Sequence, residues 1–205
     1  MKKFMALLLV AGMTLSLTAC GGSTDTAKTD QADGKDTFTV GFDQDFPPFG
    51  YVGDDGEFTG FDIEMATECA ARMGKKIVLQ PIDWDAKDME LEAGTIDCIW
   101  NGFTMNGRED QYTWTDPYMD NSQVVVVKKD SGINTLADLA GKVVEVQKES
   151  AAETALNDEE HADLMASFAQ LLSVGEYNTA FMDLESGAVD AVAIDIGVSQ
   201  FQIEG

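Results

Sequence analysis

A strand–helix alternation that occurs twice along the chain is the feature that most constrains the fold. In the first half, predicted strands and helices alternate, with strands over 37–42, 76–82 and 96–100 and helices over 61–73 and 85–93. The first strand alternates apolar with smaller or polar residues, and the first helix carries apolar residues at helical spacing. The Pro-, Gly- and Asp-rich segment 43–60 between them is predicted as a loop. This order favours a mostly parallel sheet with helices on both faces.

Four consecutive valines mark the point where the alternation restarts. They lie in a predicted buried strand over 123–128. Further predicted segments follow it, with helices over 135–140, from near 150 and over 176–186, and strands over 142–147, 168–174 and 188–194. The nearly continuous apolar run of the last strand is typical of a parallel strand covered on both faces. Two successive α/β units predict two lobes, over 37–124 and 125–205.

The N-terminus has the organisation of an export signal. Two lysines precede an uncharged stretch over 4–19, which is too short to span a membrane comfortably. The stretch closes with Leu17-Thr18-Ala19-Cys20, which resembles the lipobox of bacterial lipoproteins, whose cysteine is lipidated. An ordinary secreted protein with a coincidental cysteine is the alternative. We expect a signal peptide over 1–19 and an extracytoplasmic protein that is anchored to the cell membrane by lipid on Cys20.

The residues after this cysteine are small and polar. Segment 20–36 offers too little apolar surface to offset the entropy of ordering it, so we predict a disordered tether. Without residues 1–19 the chain has 11 basic and 37 acidic side chains, a net charge of −26. Such a balance disfavours binding to nucleic acid and to anionic lipid surfaces. We interpret the charge as a means of keeping an exported domain soluble.

The residue types that catalysis and metal binding require are scarce. Cys69 and Cys98 each lie in an apolar run, which favours two buried thiols, although an oxidising exterior also permits a disulfide. The single histidine, His161, lies in an acidic segment, and no metal-ligand spacing, Ser-His arrangement, phosphate loop or dinucleotide fingerprint is present. We therefore expect no metal, no cofactor and no enzymatic activity.

Two segments that follow predicted strands favour a binding site. Ligands of open α/β sheets bind in loops beyond the carboxyl ends of the strands. Segment 43–49 places Phe46 and Phe49 in a Pro-rich loop, for which a lid packed on the core is the alternative. Segment 97–108 ends in Arg108, one of only two arginines, whose planar fork suits a carboxylate. A surface arginine is the alternative.

Elements in a specific order along 37–205 carry a family resemblance. They are Gly41-Phe42-Asp43, Phe46-Pro47-Pro48-Phe49, Gly60-Phe61-Asp62, Trp84, Thr104 with Arg108, Thr115-Asp116-Pro117-Tyr118, Gly141-Lys142, and Val189-Asp190-Ala191-Val192 through Asp195. Together they resemble family 3 of the bacterial extracellular solute-binding proteins, the amino-acid receptors of ABC importers. The resemblance implies a two-lobe periplasmic-binding-protein type II (Venus-flytrap) fold. It also implies a monomeric receptor that delivers an amino acid to an ABC permease.

The resemblance assigns roles to residues by matched position. The implied ligand contacts are Arg108 and Thr104 with the backbone of Asn101 and Gly102 around the carboxylate, Ser150 from the second lobe, Asp195 for the ammonium group, and Phe46, Trp84 and Asp43 around the side chain. The acidic and aromatic residues suggest a polar or cationic amino acid. A dehydratase, a lytic transglycosylase or a sensor domain on the same fold remains an alternative.

The chain departs from the family pattern in three ways. The loop Met105-Asn106-Gly107-Arg108 is one residue shorter than usual, and Glu149 and Ala151 replace the usual Gly and Thr around Ser150. Family members also continue well past the aspartate that matches Asp195. From this we expect a chain that lacks the C-terminal part of the fold, by roughly 50–70 residues for lobes of ordinary size.

Overall fold

The computed structural model of the protein describes residues 35–204. The predicted signal peptide, Cys20 and most of the predicted tether lie outside these residues. Within the described part, no helix has both the length and the apolar character needed to cross a bilayer. The described fold is α/β, as predicted, and consists of two main sheets with helices packed on them, plus a small antiparallel sheet.

The elements follow one another in the predicted order. The strands are β1 Thr37–Phe42, β2 Asp45–Phe46, β3 Gly50–Val52, β4 Phe58–Thr59, β5 Lys76–Pro81, β6 Cys98–Ile99, β7 Gln123–Val127, β8 Val143–Gln147, β9 Gln170–Val174 and β10 Ala191–Asp195. The α-helices are α1 Phe61–Arg72, α2 Lys87–Ala93, α3 Ala151–Leu156, α4 Ala162–Ser167, α5 Tyr177–Ser186 and α6 Ile196–Glu204. Turns of 3-10 helix lie at Trp84–Ala86, Leu136–Leu139 and Glu159–His161.

Three predicted segments take a different form in the structure, and the sequence pattern does not predict the helix α6. The predicted loop 43–60 contains the antiparallel strands β2, β3 and β4, which are too short to show a two-residue periodicity. The predicted strand 96–100 pairs only at Cys98–Ile99. The predicted helix 135–140 is a single 3-10 turn, closed by a capping box between Thr135 and Asp138.

The first sheet has the order β5-β1-β6, with parallel pairing on both sides of β1. Val40 and Phe42 of β1 are fully buried, and α1 packs against this part of the chain. The carboxyl ends of β1 and β6 lie side by side, so Asp43 and Asn101, which follow them closely, meet at one edge of the sheet. We call the part built on this sheet the first lobe.

The second sheet has the order β7-β10-β8-β9, in which only β7 runs antiparallel. Val124 and Val126 of β7 pack against the cluster around Tyr177, whereas Val125 and Val127 pack against the cluster on the other face. Coverage of both faces explains the unbroken run of valines. Because β7 lies at the edge, these valines are half-buried, not buried as predicted. We call the part built on this sheet the second lobe.

The two cysteines that the structure describes are free thiols. Cys69 lies in α1 and Cys98 in β6, and both are half-buried. Burial raises the pKa of the Cys98 thiol to about 12, so its reactive thiolate form is suppressed at neutral pH. The two residues are therefore packing residues in this structure, and no disulfide joins them.

Gly60, immediately before α1, is required by a close approach of the backbone. Its φ is 124°, and a Cβ there would lie 2.3 Å from the Phe49 carbonyl oxygen. We expect Gly60→Ala to reduce the free energy of unfolding by about 3 kcal/mol, because backbone conformation and contact both resist a side chain. Urea denaturation would measure the loss. In the control Gly74→Ala, φ is 67° with nothing within 4 Å, so only about 1 kcal/mol is expected. Equal losses would contradict the close contact.

A buried carboxylate joins α1 to the segment before β7. Asp62 is 1% exposed, and its Oδ1 accepts a hydrogen bond from the Tyr118 hydroxyl at 2.8 Å. Its Oδ2 is buried without a hydrogen-bond partner. Burial raises the pKa of Asp62 to about 6, and the bond from Tyr118 opposes only part of that rise.

This raised pKa predicts a pH dependence of stability. A carboxyl whose pKa is higher in the folded than in the unfolded chain stabilises the fold fully below the unfolded pKa and loses that contribution as the pH rises through about 6. We therefore expect the melting temperature to rise as the pH falls from about 7.5 to about 5. Asp62→Asn should reduce this rise in calorimetric scans, by roughly 1–3 kcal/mol of stability. The exposed Asp163→Asn is the control, and identical pH profiles for both variants would contradict the prediction.

Candidate functional site

A small cavity between the two lobes is lined by eight of the nine residues that were predicted to contact a ligand. It is lined by Phe46, Trp84, Asn101, Gly102, Thr104, Arg108, Ser150 and Asp195, together with Phe103, Gln147 and Ala151. Its free volume is about 10 Å³, which holds about one water molecule. A larger ligand therefore requires the lobes to separate.

Asp43, the ninth predicted residue, lies directly behind the cavity. Its Oδ2 accepts a hydrogen bond at 2.6 Å from Nε2 of Gln147, which lines the cavity from the second lobe. Its backbone amide donates to Oδ1 of Asn101 at 3.1 Å. Asp43 is 4% exposed, and burial raises its pKa to about 6, with hydrogen bonds from Asp45 and Gln147 acting in the opposite direction. Asp43 thus joins the two lobes through Gln147.

Arg108 follows a tight turn after β6 and reaches across the cleft. Its amide donates to the Met105 carbonyl oxygen at 2.9 Å, which closes the shortened loop. Nη1 donates to the Thr104 carbonyl oxygen at 3.1 Å. Nη2 donates to Oγ1 of Thr154 at 3.1 Å and to the Glu149 carbonyl oxygen at 3.3 Å, both in the second lobe. The guanidinium group therefore bonds to uncharged oxygen atoms of both lobes.

Asp195 ends β10 and contributes a buried carboxylate. It is 5% exposed, and its Oδ1 accepts hydrogen bonds from Nδ2 of Asn121 and from Nε2 of Gln123, the latter at 2.7 Å. Burial raises the pKa of Asp195, against the effect of both amides and of Arg108. A carboxylate held in this way favours a cation that replaces the lost water.

The aromatic residues form one wall of the cavity. The rings of Trp84 and Phe103 meet edge to face with centroids 5.0 Å apart, and the Arg108 guanidinium carbon lies 5.4 Å from the Phe103 ring centre. Phe46 lies 5.6 Å from Phe49, which itself packs in the core of the second lobe. The Pro-rich loop therefore combines both interpretations, since Phe46 and Phe49 both pack in the core cluster around Tyr177 and Phe46 also lines the cavity.

Three further predicted residues occupy structural positions at the cavity. Ser150 caps α3, because its Oγ accepts from the Glu153 amide at 3.0 Å. The Thr104 hydroxyl oxygen accepts a hydrogen bond from Nδ2 of Asn121 at 3.3 Å. A Cβ on Gly102 would lie 3.0 Å from the Phe46 ring, so the absence of a side chain lets the aromatic wall pack closely.

The sequence interpretation missed four polar residues at the site: Asn121, Gln123, Gln147 and Thr154. Two of them flank the start of the valine strand, where polar residues next to an apolar run offered a signal. Gln147 ends a predicted strand, which is also where ligands of α/β sheets bind. Thr154 lies one helical turn after Ser150, and this spacing alone does not distinguish it. Among residues 35–204, no group of three or more His, Cys, Asp or Glu is placed to hold a metal ion.

Comparisons with known proteins agree on one family. The model of the bacterial extracellular solute-binding proteins, family 3, matches residues 38–181. The arginine-binding extracellular protein ArtP of Bacillus subtilis is 36% identical over 148 residues, which make up 72% of this chain and 56% of ArtP. The L-cystine-binding protein TcyJ of Escherichia coli is 31% identical over 194 residues, or 93% of this chain and 69% of TcyJ.

A solved structure shows the same fold. The substrate binding protein of an ABC uptake transporter from Streptococcus pneumoniae, with bound histidine, superposes with a TM-score of 0.78 at 36% identity. The match covers 82% of this chain and 70% of that chain. The chain thus spans little more than half the length of ArtP and about seven tenths of the pneumococcal protein.

Proposed function

Because the chain belongs to the bacterial extracellular solute-binding proteins, family 3, we propose that it binds an amino acid in the cleft between its lobes and delivers it to an ABC permease. The observation that carries this proposal is that Arg108 and Asp195 line the same small cavity. An amino acid carries a carboxylate and an ammonium group on one carbon. A guanidinium group and a buried carboxylate facing one small space are complementary to both.

The proposed binding step exchanges internal contacts for ligand contacts. Nη2 of Arg108 leaves the Thr154 hydroxyl and the Glu149 carbonyl oxygen and binds the ligand carboxylate. The ligand ammonium donates to Asp195, whose two bonds from neighbouring amides both end on Oδ1. Separation of the lobes admits the ligand, and closure buries its charges against paired partners, as in hinge-bending binding proteins.

The ligand side chain that we propose is polar or cationic. Asp43 adds a second buried carboxylate next to the cavity, and Glu176 and Asp45 lie close enough to raise its pKa further. Arg108 is the single cationic side chain among the cavity-lining residues. Two relatives that are named for binding arginine and cystine, and one that was solved with bound histidine, fit this range of side chains.

Isothermal titration calorimetry of the purified chain with the twenty amino acids and cystine tests the proposal. We expect saturable binding of arginine, histidine or another polar amino acid, and none of small apolar amino acids. Failure of every amino acid to bind would overturn the proposal. Assays with prephenate-like compounds and peptidoglycan would then test the dehydratase and transglycosylase activities known on this fold.

We also propose that residues 1–19 are a signal peptide, that residues 20–36 form the tether, and that Cys20 carries the lipid anchor, with a lobe boundary near residue 124. The lipobox-like sequence before Cys20 supports the anchor. A monomer held in this way stays near its permease at the outer face of the membrane. Mass spectrometry of the membrane-bound protein should find a lipidated N-terminal Cys20. Release of the protein into the medium by Cys20→Ser would support the anchor, and unchanged membrane retention would count against it.

A further inference from the structure

Two ion pairs connect the two lobes in a reciprocal arrangement. In the first lobe, Asp85 lies in the 3-10 turn before α2 and Lys87 is the first residue of α2. In the second lobe, Lys148 and Glu149 connect β8 to α3. Nζ of Lys87 lies 2.7 Å from a Glu149 carboxylate oxygen, and Nζ of Lys148 lies 2.7 Å from a carboxylate oxygen of Asp85. Each lobe therefore supplies one cation and one anion to the other.

The two pairs differ in their exposure to solvent. In the first pair the Lys87 side chain is 3% exposed, with its Nζ 5.2 Å from the centre of the Trp84 ring, whereas its partner Glu149 is 46% exposed. The outer pair is open to water, with 55% of the Lys148 and 35% of the Asp85 side chain exposed. Salt screens the outer pair more strongly, whereas loss of the Glu149 charge leaves the Lys87 ammonium buried without a counter-charge in the closed form.

The backbone of Glu149 has a conformation that is unusual for a residue with a side chain. Its φ of 57° makes it the single non-glycine residue with positive φ among residues 35–204. The left-handed conformation is unfavourable for an L side chain and is usually supplied by glycine. The carbonyl oxygen of Glu149 accepts from Nη2 of Arg108, and its amide donates to a Glu153 carboxylate oxygen at 2.6 Å. The ion pair with Lys87 thus restrains Glu149, and the backbone carbonyl of Glu149 binds Arg108.

We propose that Asp85, Lys87, Lys148 and Glu149 form a latch that holds the two lobes closed, and that Lys87 and Glu149 are positioning residues for Arg108. The reciprocal pairs favour one relative position of the closed lobes. If one lobe slides along the other, Lys87 approaches Lys148 and Asp85 approaches Glu149, and these like charges repel. The latch consists of contacts between side chains of the protein itself. Its consequence for affinity rests on the proposed function, because a ligand that is held by closure binds more weakly when closure is less favourable.

The first test uses ligand-free protein. A water-soluble carbodiimide joins amines and carboxylates that are in direct contact, without a spacer. We expect mass spectrometry to find Lys87 joined to Glu149 and Lys148 joined to Asp85, with the second product reduced in high salt. Small-angle X-ray scattering should report a larger radius of gyration for Glu149→Gln than for the parent chain. The exchange of charges in Lys87→Glu with Glu149→Lys should restore the smaller value.

Controls separate the latch from general ion-pair and folding effects. Glu68→Gln breaks an exposed pair with Arg72 inside α1, with 2.8 Å between the charged atoms, and should leave scattering unchanged. Circular dichroism checks that each variant is folded, and Lys87→Met, which keeps an apolar stem on Trp84, replaces Glu149→Gln if that variant unfolds. Absence of the Lys87–Glu149 product, or scattering of a folded latch variant identical to the parent, would overturn the proposal.

The second test measures L-arginine affinity by calorimetry. Glu149→Gln should weaken binding about tenfold or more and the charge exchange should recover most of the loss, while Glu68→Gln has no effect. Glu149→Gly relieves the backbone strain and also removes the carboxylate. If this variant binds L-arginine more weakly than the parent chain, the lost affinity comes from the missing ion pair and not from the backbone conformation. If no amino acid binds but scattering responds as expected, the latch stands and the proposed function fails. If binding is normal in all latch variants, the positioning role fails.

Discussion

Arg108→Ala is expected to weaken amino-acid binding roughly 1000-fold, equivalent to about 4 kcal/mol. The guanidinium group is the one cation lining the cavity, and a ligand carboxylate buried without it has no charged partner. Arg108→Lys keeps the charge but not the planar fork that matches a carboxylate, so it should recover only part of the affinity. Calorimetry with the amino acid that binds the parent chain most tightly measures both losses.

The chain offers a matched control for this prediction. Arg72, the other arginine of the sequence, is exposed on α1 and pairs with Glu68. Arg72→Ala should leave affinity unchanged. Because Arg108 also bonds to Thr104 and Thr154, melting curves must show that Arg108→Ala is folded. Parent-like affinity in a folded Arg108→Ala protein would remove Arg108 from the binding site.

Asp195→Asn is expected to weaken binding by roughly 100-fold or more, about 3 kcal/mol, because the ligand ammonium loses its buried counter-charge. The stability of the protein should move in the other direction. Burial raises the pKa of Asp195, so its contribution to stability is present below the unfolded pKa and is lost as the pH rises through the folded pKa. At pH 7.5 an uncharged asparagine therefore removes an unfavourable buried charge.

Paired measurements separate these two effects. Calorimetric titration should show weakened binding, while the melting temperature at pH 7.5 stays equal to or above that of the parent chain. The amide oxygen of asparagine still accepts the bonds that Asn121 and Gln123 donate to Asp195 Oδ1, so the local structure is preserved. Weakened binding together with a large drop in melting temperature would indicate a structural role instead.

Strand–helix alternation was sufficient to predict the α/β class and most of the elements. The continuous apolar run before Asp195 became the central strand β10, which is buried along its whole length. The antiparallel pairing of β7 could not be predicted, because a run of four valines suits a parallel and an antiparallel strand equally well. Strands of two or three residues, such as β2 and β4, depend on tertiary pairing and leave no periodic signal.

Residue identity at strand ends predicted which side chains meet at the cleft, because the carboxyl ends of parallel strands share an edge. Position at strand ends singled out the segments that contain Asp43 and Arg108, whereas Asp195 was predicted from the family resemblance alone. Contacts between the lobes could not be predicted from the sequence. Lys87 and Glu149 are 62 residues apart, and in the sequence each resembles an ordinary charged surface residue.

The sequence by itself determined the alternating elements, the lobes that they build and the charged residue types available to a ligand. These follow from local periodicity and from the polarity of each side chain. Only the tertiary structure decided which charged groups are buried and which of them face one another across the cleft. Burial raises the pKa values of Asp43 and Asp195. Burial and pairing depend on what the distant chain places next to a residue, and no local pattern encodes that.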